Sequence, residues 1–235
     1  MRAMILAAGR GERMRPLTDT VPKPLLTVGG RSLIARHVEN LAAAGVRDIV
    51  INHAHLGAMI EASLGDGSAF GVAIHYSREG VALETAGGIA LALPLLGSDP
   101  FLVVNGDIYC EFDFAALTRQ VAAMRSSGSV AHLVLVDNPP HHPRGDFAVV
   151  DGRLRNAGAC RFTYSGIGLY CPRLFAGVTP GAKAALGPLL RQAVDADAVT
   201  GEHYPGRWED VGTPERLAAL DRSLTMLRSA VDARG

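Results

Sequence analysis

Apolar and polar positions change period in a regular way along the first half of the chain. Ala3–Ala8 is an unbroken apolar run, the pattern of a strand buried on both faces. Leu33, Ile34, Val38 and Leu41 then recur at helical spacing behind Ser32, which predicts an N-capped helix closed by Gly45. Asp48–His53 predicts a second strand, His55–Leu64 a short helix, and Val72–Tyr76 a third strand. Ala86–Leu95 predicts a helix opening at a Gly-Gly pair, and Phe101–Asn105 a fourth strand that runs into Gly106-Asp107. Strands alternating with helices at such short intervals predict an α/β fold with a doubly wound, mostly parallel, Rossmann-like sheet. In such sheets ligands lie beyond the carboxyl ends of the strands.

The second half is less regular. It predicts a helix over Asp113–Ser127, a strand over Val130–Asp137 and a proline-rich loop over Asn138–Asp146. Phe147–Val150 and Arg153–Leu154 flank Asp151-Gly152, a hairpin signal. A strand over Tyr164–Tyr170, a helix over Ala184–Val194 and a strand over Trp208–Val211 follow. Thr213-Pro214-Glu215 opens a last helix with an N-cap and a first-turn proline. No repeat, low-complexity tract or linker divides the chain, so a single domain over residues 1–235 is expected.

Composition narrows the partners. The 235 residues allow a sizeable core, with 48% hydrophobic and 20% charged residues and a formal net charge of zero. That balance argues against nucleic acid and against anionic membrane. Cys110, Cys160 and Cys171 form no close metal-type pair and leave one cysteine over in any disulfide scheme, as suits a reducing cytoplasm. Gly9 and Arg10 interrupt the N-terminal apolar run too early for a signal peptide, and no apolar stretch is long enough to span a bilayer. A cytoplasmic location is therefore expected.

The first strand empties into Gly9-Arg10-Gly11-Glu12-Arg13, followed by Pro22-Lys23-Pro24. Gly9 and Gly11 let the backbone turn its N–H groups toward a ligand, and Arg13 and Lys23 add full charges, which together suit a polyphosphate. The Walker loop is excluded because the chain has no Gly-Lys, and the dinucleotide fingerprint because Met14 replaces its third glycine. Only Lys23 and Lys183 are lysines in a chain with 23 basic residues, so a lysine held between two prolines marks a place for a compact ammonium. Lys183 reads as a surface residue. Asp107, at a strand end, and Asp210 are candidate carboxylates for a hard cation; each alone reads equally well as a turn or cap residue. His53, His55, His141 and His142 have no matching cysteine or acid spacing for zinc and read as loop and strand-end residues.

The stretch from Ala8-Gly9 through Arg13-Met14-Arg15-Pro16-Leu17-Thr18 to Pro22-Lys23-Pro24-Leu25 resembles the signature of the sugar-1-phosphate nucleotidylyltransferases. Glu12 and Met14 depart from it, and neither removes a phosphate donor. Trp208-Glu209-Asp210-Val211-Gly212-Thr213-Pro214 resembles the family's second acidic motif. The resemblance implies that Arg13, Lys23 and Asp107 are catalytic and that Asp107 and Asp210 hold Mg²⁺. It implies a nucleotide site of Ala8, Gly9, Gly11, Arg13, Lys23, Glu79, Thr85 and Gly88, and a sugar site of Asn105, Gly145 and Gly166. About 1–110 becomes the nucleotide-binding half, and about 111–235 an inserted sugar-binding lobe with the last helix. Glu84 replaces a glycine of the family's base-reading segment. The carboxylate of Glu79 only accepts hydrogen bonds, so it suits either uracil or guanine.

The implied partners are a nucleoside triphosphate, UTP or GTP, and a sugar 1-phosphate, with pyrophosphate leaving. Ala43-Ala44-Gly45-Val46, Ile51-Asn52-His53-Ala54, Gly145-Asp146-Phe147 and Gly201-Glu202-His203-Tyr204 are most similar to the bacterial N-acetylmuramate α-1-phosphate uridylyltransferases of cell-wall recycling. A mannose-1-phosphate guanylyltransferase, or a non-catalytic regulatory subunit of the same fold, is the alternative. The sequence leaves the oligomeric state open.

Overall fold

The structure, a computed structural model, describes residues 1–232, with side chains as far as Met226. Strand β1 (Arg2–Leu6) is followed by a small hairpin of β2 (Thr27–Val28) and β3 (Arg31–Ser32) and by helix α1 (Leu33–Ala43). β4 (Asp48–His53), α2 (Gly57–Leu64), β5 (Ala73–Arg78), α3 (Glu84–Leu96) and β6 (Phe101–Asn105) complete the first half. The second half holds β7 (Ile108–Cys110), α4 (Phe114–Ser127), β8 (Ala131–Val136), β9 (Ala148–Val150), β10 (Arg153–Arg155) and β11 (Thr163–Tyr170). It ends with α5 (Leu186–Asp195), β12 (Val199–His203), β13 (Trp208–Asp210) and α6 (Pro214–Asp232).

Nine strands form one sheet in the order β5-β4-β1-β6-β11-β8-β12-β10-β9. β5, β4, β1 and β6 run parallel, β11 runs antiparallel to both β6 and β8, and β8 and β12 are parallel. The mostly parallel, doubly wound expectation holds for the first half; one reversed strand joins it to the second. Alternate residues of each central strand feed opposite cores. Ile5, Ile49, Ile51 and Leu102 pack with Ile34 and Val38 of α1 and with Leu117 of α4. Met4, Val50, Phe101 and Val103 pack with Ile89 of α3 and Leu190 of α5. Both faces are covered, which is why these strands read as continuous apolar runs.

The predicted caps are present. Ser32 Oγ accepts from the Ala35 N–H at 3.4 Å, and Thr213 Oγ1 accepts from the Arg216 N–H at 3.4 Å. Asp151 (φ 50°) and Gly152 (φ 73°) make the two-residue turn between β9 and β10. Three expectations are corrected. The Gly87-Gly88 pair lies within α3, which starts at Glu84. The helix predicted from Ala184 starts at Leu186. β12 and β7, which periodicity did not show, are real strands. Among the described residues no helix is long and apolar enough to cross a membrane.

Candidate active site

At the carboxyl ends of β1, β4 and β6 lies a cleft of about 370 Å³. The backbone after β1 makes its floor. Gly11 adopts φ 70° and ψ 40°, a left-handed conformation that costs a glycine little. A Cβ there would lie 3.0 Å from Thr18 Cγ2 and 3.3 Å from Lys23 Cβ, so the loop is folded tightly onto the segment that carries Lys23. Thr18 Oγ1 donates to the Gly11 carbonyl at 2.9 Å and fixes that fold. Lys23 itself sits in a short 3₁₀ turn, 7% exposed, and its Nζ donates to Asp107 Oδ2 at 2.5 Å. A buried ammonium is thereby held by one carboxylate that still faces the cleft.

Asp107 follows β6 through Gly106, whose N–H donates to the Leu6 carbonyl at 2.8 Å. A Cβ on Gly106 would lie 2.8 Å from that same oxygen, so only glycine lets the strand end turn here. β7 and β13 then pair antiparallel, and the Val211 N–H donates to the Asp107 carbonyl at 3.0 Å. Two acids about a hundred residues apart in sequence are thus on adjoining segments. Asp210 Oδ1 accepts from Arg216 Nη1 and lies 3.1 Å from His141 Nε2. Two partly exposed carboxylates are a fitting oxygen donor set for a hard cation that fills its remaining positions with water and phosphate oxygens. Among the described residues, no group of three or more acids, histidines or cysteines could hold a metal ion.

The base side is built on a buried polar chain. Asn52, at the end of β4, accepts from the Ala7 N–H at 3.0 Å and donates to Glu79 Oε1 at 2.6 Å. Glu79 Oε2 accepts from the Leu83 N–H at 2.8 Å. One chain of hydrogen bonds therefore joins the start of the phosphate loop to the 79–85 segment. Gly88 has a packing reason: a Cβ there would lie 2.5 Å from Glu79 Oε1 and 2.8 Å from Asn52 Nδ2. Glu84 adopts φ 60°, the conformation that a glycine would take without strain.

Of the residues singled out from the sequence, Ala8, Gly9, Gly11, Arg13, Lys23, Thr85, Asn105 and Asp107 all line this cleft. Glu79 and Gly88 lie behind its wall. Gly145 and Gly166 do not line it; both have positive φ and close contacts. A Cβ on Gly166 would lie 2.5 Å from Asn105 Nδ2, so that glycine makes room for Asn105 at the bulge in β11. A Cβ on Gly145 would meet the Arg161 carbonyl and Asn138 Oδ1, both at 2.7 Å. His53 ends β4 and His142 lies in the 138–146 loop, as expected; His141 does more than fill a loop, because it reaches Asp210. Asn52, Gly212 and Arg216 were not foreseen. A polar Asn52 inside an apolar strand was the available signal for the first, and position within the second acidic motif for Gly212.

A glycine loop at the end of a parallel strand, a buried lysine and two strand-end aspartates define an enzyme built to handle nucleotide phosphates. The chain belongs to the nucleotidyl transferase family, whose model matches residues 2–152. It is 54% identical to the N-acetylmuramate α-1-phosphate uridylyltransferase of Neisseria meningitidis, over 92% of this chain and 95% of that one. It is 37% identical to the Caulobacter vibrioides enzyme of the same name, over 94% and 96%, and 32% identical to the mannose-1-phosphate guanyltransferase of Schizosaccharomyces pombe, over 92% of this chain and 62% of that one. HddC from Yersinia pseudotuberculosis, solved with GMP-PN, shares the fold with a TM-score of 0.74 at 19% identity, over 94% of this chain and 98% of that one.

Proposed function

We propose that this chain transfers UMP from UTP to N-acetylmuramate α-1-phosphate, giving UDP-N-acetylmuramate and pyrophosphate in the cytoplasm, as a step of cell-wall recycling. The 54% identity to the Neisseria enzyme over nearly both whole chains carries this reading. The guanyltransferase match is weaker, at 32% identity. The regulatory-subunit alternative loses support because Arg13, Lys23, Asp107 and Asp210 are all retained at the cleft or beside it.

A phosphate oxygen of the sugar attacks the α-phosphorus in line; the bond from that phosphorus to the bridging oxygen breaks, and pyrophosphate leaves with the electron pair. Such transfers depend on positioning and charge neutralisation. Gly9 and Gly11 present backbone amides to the triphosphate, and Arg13 pairs with its outgoing end. Lys23 neutralises charge on the reacting phosphates while Asp107 fixes where its ammonium points. Thr85 and the 79–85 segment receive the base, with Glu79 and Gly88 setting that segment's position from behind the cleft wall. Asn105, at the end of β6, together with Gly145 and Gly166 of the half from about residue 111 onward, shapes the sugar side. Asp107 and Asp210 would hold Mg²⁺, which would supply neutralisation of phosphate charge during the transfer.

The test is pyrophosphate release from UTP, GTP and dTTP, each crossed with the 1-phosphates of N-acetylmuramate, N-acetylglucosamine and mannose. The highest kcat/KM is expected for UTP with N-acetylmuramate α-1-phosphate. A higher value for GTP with mannose 1-phosphate would replace this reading with the guanylyl one.

A further inference from the structure

Two guanidiniums from opposite ends of the chain meet over Gly212. A Cβ on Gly212 would lie 2.6 Å from Arg216 Nη2 and 3.3 Å from Arg13 Nη2. Gly212 lines the cleft beside Gly11 and Arg13. Arg216 makes all its side-chain hydrogen bonds through Nη1, to Asp210 and His141. Those two partners fix the plane of the guanidinium and leave its Nη2 edge over the glycine. Among the described residues the Arg13 side chain makes no hydrogen bond or ion pair, so its whole charge is available to a ligand.

Like charges this close repel unless something anionic lies between or beside them. Asp210 neutralises one; among the described residues nothing neutralises the other. We propose that Arg216 is a second phosphate-binding arginine and that, with Arg13, it grips the pyrophosphate end of the triphosphate across Gly212. Guanidiniums favour phosphate oxygens because their N–H forks match them in pairs, and two forks suit a group carrying several negative charges. The triphosphate tail is favoured over the sugar because Arg13 stems from the same loop as Gly9 and Gly11. Gly212 matters because any side chain there would push the two guanidiniums off this position. The inference rests on nucleotidyl transfer, and not on the choice of base or sugar.

Two variants test it. Arg216→Gln removes the charge. Gly212→Ala leaves both arginines in the chain but displaces their ends; only flexible side-chain tips need to move, so the fold is retained. Magnesium pyrophosphate binding is measured by calorimetry, and pyrophosphorolysis of UDP-N-acetylmuramate by initial rates. Both variants are expected to weaken pyrophosphate binding, and to raise its KM, by roughly 10- to 100-fold, with the KM for the UDP-sugar unchanged. Unchanged pyrophosphate affinity in the folded variants overturns the inference. So does an equal rise in both KM values, or a change confined to kcat and magnesium requirement, which would make Arg216 only a holder of Asp210. So, too, does wild-type protein that binds no pyrophosphate. If wild type binds pyrophosphate but does not turn over UDP-N-acetylmuramate, the proposed base and sugar fail while the calorimetry still decides Arg216. Should Arg216→Gln not fold, Gly212→Ala decides alone.

Discussion

Lys23 shows how much one residue's surroundings decide its role. It is 7% exposed between two prolines, and Asp107 holds its Nζ at 2.5 Å. A compact ammonium in that slot can reach a phosphate without leaving its acid. The longer, planar guanidinium of an arginine cannot keep both contacts in the same space. Lys23→Ala is expected to lower kcat by about 10²–10³, the usual cost of losing one preorganised electrostatic donor. Lys23→Arg should be nearly as slow, with circular dichroism unchanged in both. Wild-type turnover in the arginine variant would make Lys23 a generic cation. Much at this scale was legible: glycines, a proline-bracketed lysine and strand-end acids announce themselves in sequence. Arg216 did not, because its meaning comes from meeting Arg13 over Gly212, and no local pattern encodes that meeting.

Among elements, the chain Ala7–Asn52–Glu79–Leu83 couples β1, β4 and the segment that starts α3. α3 approaches this chain only because Gly88 has no side chain. Gly88→Ala would place a methyl 2.5 Å from a buried carboxylate oxygen with no space to yield. The variant is expected to lose about 1–3 kcal/mol in denaturant unfolding, with a raised KM for the triphosphate and a smaller change in KM for the sugar phosphate. Equal rises in both would show that the chain supports the fold generally and not the nucleotide side. The strands buried on both faces could be read because apolar runs need no partner to be recognised. β12 could not. Its Gly201 reads as a strand breaker, yet here a Cβ would lie 2.7 Å from Leu154 Cδ2 and 2.9 Å from the Leu133 carbonyl. The glycine is demanded by neighbours that only the folded sheet supplies.

For the molecule as a whole, one buried histidine sets an acid limit. His37 of α1 is 2% exposed, and its ring Nε2 bonds the Ile108 carbonyl at 2.9 Å, next in sequence to Asp107. Burial lowers its pKa from 6.5 to about 4, opposed in part by the Ile108 bond and by the charge of Asp107. The native ring stays neutral where the unfolded ring would take a proton. Stability is therefore complete above pH 6.5 and lost as pH falls from 6.5 toward about 4. The loss amounts to about 3 kcal/mol over that window. Unfolding free energies measured at steps from pH 7.5 to 4.5 should fall less steeply in His37→Gln than in wild type. Parallel curves would assign the acid sensitivity elsewhere.

The pairing of β7 with β13 also has a consequence in time. Residues 107 and 210 become neighbours only when the ribbon closes, and that contact spans nearly half the chain. A ribosome releases the glycine loop, Lys23 and Asp107 long before it makes Asp210. The nascent first half can assemble its parallel strands, and yet it has only one of the two acids. On the proposed function, turnover begins only late in translation, with the second acid and the start of α6.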